Sequence, residues 1–302
     1  MRTYLECVPC FLRQALDAAQ ATSDDPRVQE RVVRGTLRLV AEMPLDRPPP
    51  WLGQRIHRLL REATGQADPY REAKRRANDF ARELLPELKG RVRASADHID
   101  AALRVAIAGN IIDLGCRSSV GEKEIREAVT AAMSAALDVR AVESLKRAVG
   151  EAREILYIAD NAGELFFDRV LIEELPSERV ILAVRGAPVI NDATREDVEA
   201  TGFTSLARVI DSGSDAPGTI LEDCSTSFRE CFRSADVVIA KGQGNFETLS
   251  DVERGVFFLL KAKCPVVARR LGCELGEALL LAPSSPAGAP EARCSVGPSG
   301  RS

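Results

Sequence analysis

Over the first 150 residues, apolar side chains recur at three- and four-residue spacing, the period of an amphipathic helix. Val28, Val32, Val33, Leu37 and Val40 carry the pattern most clearly. It predicts helices over 11–21, 25–43, 51–63, 70–85, 96–114, 122–137 and 139–149, with a turn-forming break at PLDRPPP, 44–50. Pro69 stands just before the fourth of these, where a helix tolerates it. Beyond residue 150 the texture changes to short runs rich in Ile and Val: 155–159, 180–184, 206–210, 237–240, 257–260 and 266–268. Helix-sized polar–apolar stretches are read as separating these runs, which predicts an α/β fold with a mostly parallel sheet and crossover helices. A further short strand is expected at 279–281. The division expected is a helical region over 1–150, an α/β core over 151–283 and a disordered tail over 284–302, where Pro, Gly, Ser and Ala leave little to bury.

In open parallel sheets, ligands bind beyond the carboxyl ends of the strands. Behind ILYIA stand Asp160, Asn161, Ala162, Gly163 and Glu164; behind VILAV come Arg185 and Gly186, then Asn191 and Asp192. Asp160, Asn161 and Asp192 form an oxygen-only ligand set of the kind hard divalent cations take. Asp or Asn between a strand and a helix also caps helices, so capping competes with metal binding at this position. The VVIA run leads into Lys241, Gly242, Gln243, Gly244, Asn245, Phe246 and Glu247. Two glycines there let backbone N–H groups approach an anion, with Lys241 adding charge; an ordinary glycine turn is the plainer alternative. Asn110 and Asp113, three apart at the end of a helical pattern, share one face. Cys7 and Cys10 make half a metal site, and they open the chain ahead of a helix rather than following a strand as a redox CxxC would. Metal, redox and packing roles are all open for this pair.

Composition narrows the field. The 302 residues carry 41 Lys plus Arg against 45 Asp plus Glu, a formal charge of -4, which argues against broad electrostatic binding of nucleic acid. No apolar stretch approaches the length of a membrane span, and the N-terminus lacks a signal-peptide pattern. Eight cysteines are too dilute for a disulfide scaffold, so reduced thiols and a cytoplasmic location are expected.

The stretches ECVPCFLRQALDAA, AIAGNIIDLG, IADNAGE, VRGAPVINDAT, AKGQGNFETL and KCPVVARRLG occur in this order. Together they resemble the family called domain of unknown function 89, described as metal-dependent damage-control phosphatases, and the CxxC is similar to its stand-alone prokaryotic branch. The resemblance extends to about Leu281, with departures at Cys273 and Glu274. It implies a three-layer α/β/α core behind a helical N-terminal region. It also implies a divalent metal (Mn²⁺, Mg²⁺, Co²⁺ or Ni²⁺) held by Asp160, Asn161 and Asp192, with Lys241 facing the substrate phosphate and Asn110 and Asp113 lining the cleft. Glu164, Arg185, Gly242, Gly244, Asn245 and Glu247 are expected as further cleft residues. The implied activity is phosphomonoester hydrolysis of small phosphometabolites such as sugar phosphates or damaged side products, by direct water attack or through an aspartyl-phosphate. Two alternatives differ in class. One is carboxyl methyl transfer from an S-adenosylmethionine-type donor, although only Gly163 stands in the first strand–helix turn. The other is a binding or redox module centred on Cys7 and Cys10.

Overall fold

The computed structural model describes residues 1–110 and 122–283. Asp113 and the expected tail over 284–302 lie outside the described residues.

Three helices come first: α1 (Cys7–Thr22), α2 (Pro26–Glu42) and α3 (Pro49–Thr64). The Asp25 side chain accepts from the Arg27 N–H at 2.8 Å, and Pro26 supplies a preset φ in the first turn, so α2 begins where the sequence places a cap. Gly65 adopts a left-handed conformation and ends α3. The buried faces of these helices meet in a cluster of their own, with Phe11, Ala15, Ala18 and Ala19 of α1 against Leu52, Ile56 and Leu60 of α3.

The next helix, α4 (Arg71–Arg93), runs straight through Pro86 and past the end expected at residue 85. Its buried stripe explains the continuation. Ala77, Ala81, Leu84, Leu88 and Val92 keep one face in the core on both sides of the proline, and that packing outweighs the backbone bond the proline cannot make. Helices α5 (His98–Gly109), α6 (Glu122–Ser134) and α7 (Val139–Glu151) complete the first half. Residues 1–150 therefore do not form a core of their own alone, because α4, α5 and α7 bury their faces in the cluster that also covers the sheet.

The sheet has six strands in the order β3-β2-β1-β4-β5-β6. These are β1 (Ile155–Ile158), β2 (Val180–Val184), β3 (Arg208–Asp211), β4 (Val237–Lys241), β5 (Phe257–Lys261) and β6 (Ala278–Leu281). The first five run parallel and β6 closes the edge antiparallel to β5. Alternation along each strand serves two cores. Ile155, Tyr157, Leu182, Ile239 and Leu259 point into the α4–α5–α8 side, with α8 spanning Leu165–Glu174. Leu156, Ile158, Ile181, Val238 and Leu260 point to the opposite side, covered by α10 (Thr226–Ser234), α11 (Gly242–Leu249) and α12 (Pro265–Leu271). Helix α9 (Arg195–Thr201) joins β2 to β3. The result is a helix–sheet–helix sandwich of three layers behind a helical N-terminal region.

One expected strand is a helix. Val266, Val267 and Ala268 lie in α12, opened by Pro265 with a Cys264 cap and closed by Gly272 in the left-handed region. Three apolar residues are too few to distinguish a strand from one buried helical turn, and the proline at the first helical position was the signal to follow.

Candidate active site

The carboxyl ends of β1, β2 and β4 bring the predicted polar residues together. Asn161 and Asp192 form an isolated antiparallel bridge. Flanking it, Ala193 N–H donates to the Asp160 carbonyl at 2.8 Å and Ala162 N–H to the Asn191 carbonyl at 2.9 Å. The loops behind β1 and β2 are thus clipped together by their backbones. Ile190, at the start of this clip, takes φ 44°, an uncommon conformation for a β-branched residue and a local strain next to Asn191 and Asp192.

Below the clip lies a dense polar floor. Asn110, the residue that ends α5, is fully buried and turns its amide Nδ2 to Asp160 Oδ2 at 3.1 Å and to both Glu164 oxygens at 3.2 and 3.3 Å. Asn161 Nδ2 donates to the same two carboxylates at 2.9 and 3.1 Å. Arg185 donates through Nε to Asp192 Oδ2 at 2.7 Å and through its Nη1 to Thr219 and to Asn245 Oδ1. Asn245 in turn donates to the carbonyls of Ala159 and Lys241, locking the start of α11 to the end of β1.

Glycine is required where β4 turns into α11. Gly242 has φ 78°, and a Cβ there would run into the Asp160 carboxylate. The expected glycine-rich loop is therefore a tight strand-to-helix turn that brings the Gly242 backbone close against the Asp160 carboxylate.

Lys241 is fully buried, and its ammonium reaches Glu164, Asp168 at 2.6 Å and the Ala106 carbonyl at 2.9 Å. Burial works against the charge, but the carboxylates of Asp168 and Glu164 outweigh it and hold the Lys241 pKa above the ordinary lysine value. Asp168 also accepts from the Tyr157 hydroxyl at 2.7 Å; burial pushes its carboxyl up to about 6 against the pull of Lys241. Glu247 lies apart from this group, buried and paired with Gln243 at 2.8 Å, and burial raises its carboxyl to about 7.

A cavity of about 500 Å³ opens above the floor, a size suited to a small metabolite. Asp160, Asn161 and Asp192 line one side, with Gln243 and Gly244 of α11 and Lys263 behind β5; α1 supplies the opposite side. Of the expected residues, Asp160, Asn161, Asp192 and Gly244 border this space. Asn110, Glu164, Arg185, Lys241 and Asn245 form the layer beneath, where Gly242 makes its turn, and Glu247 stands to one side. Cys10 is exposed on the α1 side, whereas Cys7 is half-buried with a thiol pushed up by burial, the opposite of an activated thiolate.

The floor fits a divalent cation on chemical grounds. Burial, then Glu164 and Asp192, push the Asp160 carboxyl well above the usual carboxylate range, so negative charge is crowded there beyond what Arg185 and Lys263 offset. Among the described residues no three His, Cys, Asp or Glu side chains form a ready-made ligand cluster. The donors on offer are two carboxylates and an amide, a set that suits ions retaining several waters.

Sequence reading passed over Asp168, Tyr157 and Lys263. Asp168 follows Glu164 at helical spacing inside the apolar stretch LFFDRVLI, the single acid of that stretch and a signal that marks it. Lys263 stands two residues beyond β5, a position the strand-end rule also marks.

The damage-control phosphatase ARMT1-like domain matches residues 3–279. The chain is 35% identical over 277 residues to a damage-control phosphatase of Archaeoglobus fulgidus, covering 90% of this chain and 96% of that one. It is 36% identical over 276 residues to a damage-control phosphatase of Pyrococcus horikoshii, at 90% and 94% coverage. An uncharacterized protein of Methanocaldococcus jannaschii is 36% identical over 287 residues, at 91% and 94%. The crystal structure of a DUF89 family protein from Pyrococcus horikoshii superposes with a TM-score of 0.85 at 34% identity, over 94% of this chain and all of that one.

Proposed function

The chain belongs to the damage-control phosphatase ARMT1-like family, and we propose that it hydrolyses its phosphomonoesters in the cavity above Asp160, Asn161 and Asp192. It is a metal-dependent phosphatase of small phosphorylated metabolites. In our reading Asp160, Asn161 and Asp192 hold the divalent ion, with Mn²⁺, Mg²⁺, Co²⁺ and Ni²⁺ all suited to oxygen donors. When bound, such an ion supplies Lewis-acid polarisation of a phosphoryl oxygen.

The remaining steps belong to the chain. Gln243 and Gly244, in the first turn of α11, offer N–H groups and the positive end of the helix to a phosphoryl group in the cavity. Lys263 adds a cation on the same side, and Arg185 restrains Asp192 from below. These groups neutralise charge on the transferring phosphoryl without moving during the reaction. Lys241 acts one layer down: by pairing with Glu164 and Asp168 it fixes the carboxylate that orients Asn110 and Asn161.

The observation that carries this reading is the backbone clip that converges Asp160, Asn161 and Asp192 on one metabolite-sized cavity. The test is phosphate release by chelator-stripped protein after each metal is restored, using an aryl phosphate and a panel of sugar phosphates. Asp160→Ala is expected to lose about a thousandfold or more of the metal-restored rate, the several kcal/mol a catalytic ion contributes, with an unchanged far-UV circular dichroism spectrum. Full metal-dependent activity in that variant would overturn the assignment. Among the described residues no helix is long and apolar enough to cross a membrane.

A further inference from the structure

Helix α1 divides its surface between two tasks. Phe11, Ala15, Ala18 and Ala19 are buried against α3 and fix the helix in place. Cys10, Arg13, Gln14 and Asp17, spaced three and four apart, form a stripe along a different side, and all four line the cavity opposite Asp160 and Asp192. From Cys10 to Asp17 the stripe extends about 10 Å, roughly the length of a monosaccharide phosphate.

The polar groups beneath the cavity are bound to one another, whereas Arg13, Gln14 and Asp17 hold no hydrogen bond or ion pair with another described side chain. Three polar side chains held on a well-packed helix therefore line the cavity with their hydrogen-bonding capacity uncommitted to other described residues. Arg13 can only donate, Asp17 as carboxylate can only accept, and Gln14 does both. Adjacent hydroxyl groups are the chemistry that uses such a combination fully, each hydroxyl being donor and acceptor at once. An apolar leaving group would meet the same three side chains and desolvate them without return.

We propose that the Arg13, Gln14 and Asp17 face of α1 is the specificity wall of this enzyme, reading the hydroxyl groups of the alcohol from which phosphate is removed. The inference rests on the phosphatase reading for the position of the phosphoryl group, and it adds the residues that select the rest of the substrate. The two cavity sides then divide recognition: the strand-end loops hold the phosphate, and α1 holds the polyol.

The test compares a hexose phosphate with p-nitrophenyl phosphate on metal-restored wild type, Asp17→Ala, and the double variant Gln14→Ala, Asp17→Ala. A wall that reads hydroxyls predicts that kcat/KM for the hexose phosphate falls about tenfold or more relative to that for the aryl phosphate, the scale of a lost hydrogen bond to a charged group. An unmoved ratio, whether through equal loss on both substrates or no loss on either, overturns the proposal while leaving the phosphatase reading in place. Equilibrium binding separates the two claims. With the same metal present, the additional thermal stabilisation given by hexose phosphate over inorganic phosphate should shrink in the double variant. If that difference shrinks while no wild-type phosphate release is found, the wall stands and the phosphatase reading falls. If wild type shows neither release nor a preference for hexose phosphate over inorganic phosphate, both are overturned.

Discussion

The floor of the cavity and its α1 wall are both polar, yet they are wired in opposite ways. In the floor, Lys241, Glu164, Asp168, Asn110 and Asn161 are buried and each is held by at least one other. On the wall, Arg13, Gln14 and Asp17 share a cavity face but, among the described residues, no bonds. The difference separates two requirements of a hydrolase. A site for a metal and a phosphoryl group must be preorganised, which needs every carboxylate pinned. A surface that selects among leaving groups must keep its bonds for the ligand. Substitution should therefore be felt as lost stability in the floor and as altered selectivity on the wall.

The sharpest way to break this comparison is Lys241→Ala. Removing the cation leaves Glu164 and Asp168 buried without their partner, and a loss of about 3–5 kcal/mol in urea unfolding is expected. A variant as stable as wild type would show that the floor is not held together by this pair. Glu247→Gln comes next. Its folded-state carboxyl, at about 7, lies above the unfolded value near 4.5, so the protonated form is favoured on folding. The sign follows from proton uptake: the stability it contributes is complete below about pH 4.5 and is lost as pH rises through 7. Wild type should lose on the order of 3 kcal/mol across that window from this group, and the variant's pH profile should be correspondingly flatter. Unfolding midpoints measured from pH 4.5 to 8 decide it. The smallest effect is predicted for Gln14→Ala, which should remain within about 0.5 kcal/mol of wild type because no bond to another described residue is lost. A large destabilisation there would merge wall and floor into one structural unit.

Much of the fold was legible in the chain because two periods dominate it. The three- and four-residue spacing marked the helices of the first half, and β1, β2, β4 and β5 read as continuous Val, Ile, Leu and Phe runs because a central parallel sheet is buried on both faces. Pro86 misled because its local preference was outweighed by a buried stripe on either side of it, and Val266 to Ala268 because a single turn has no period. At the cavity, the strand-end rule picks out Asp160, Asn161 and Asp192, and all three line one side of it. What no local pattern could give is depth. Lys241 at a strand end looks like a phosphate ligand until α5 and α8 are packed over it, and Arg13, Gln14 and Asp17 look like a solvated helix face until α3 sets α1 against the cavity.

The bonds of the floor join parts of the chain that are made far apart in time. Asn110 meets Asp160 across 50 residues, Asp168 meets Lys241 across 73, and Ala106 meets Lys241 across 135. During synthesis, Glu164 and Asp168 emerge well before the Lys241 ammonium that pairs with both. Helix α8 therefore has no comfortable burial until β4 has left the ribosome and slotted in beside β1. The lysine is in this sense a latch that arrives late. A chain interrupted short of that lysine has Asp160, Asn161 and Asp192 without the ammonium that pairs with Glu164 and Asp168 beneath them.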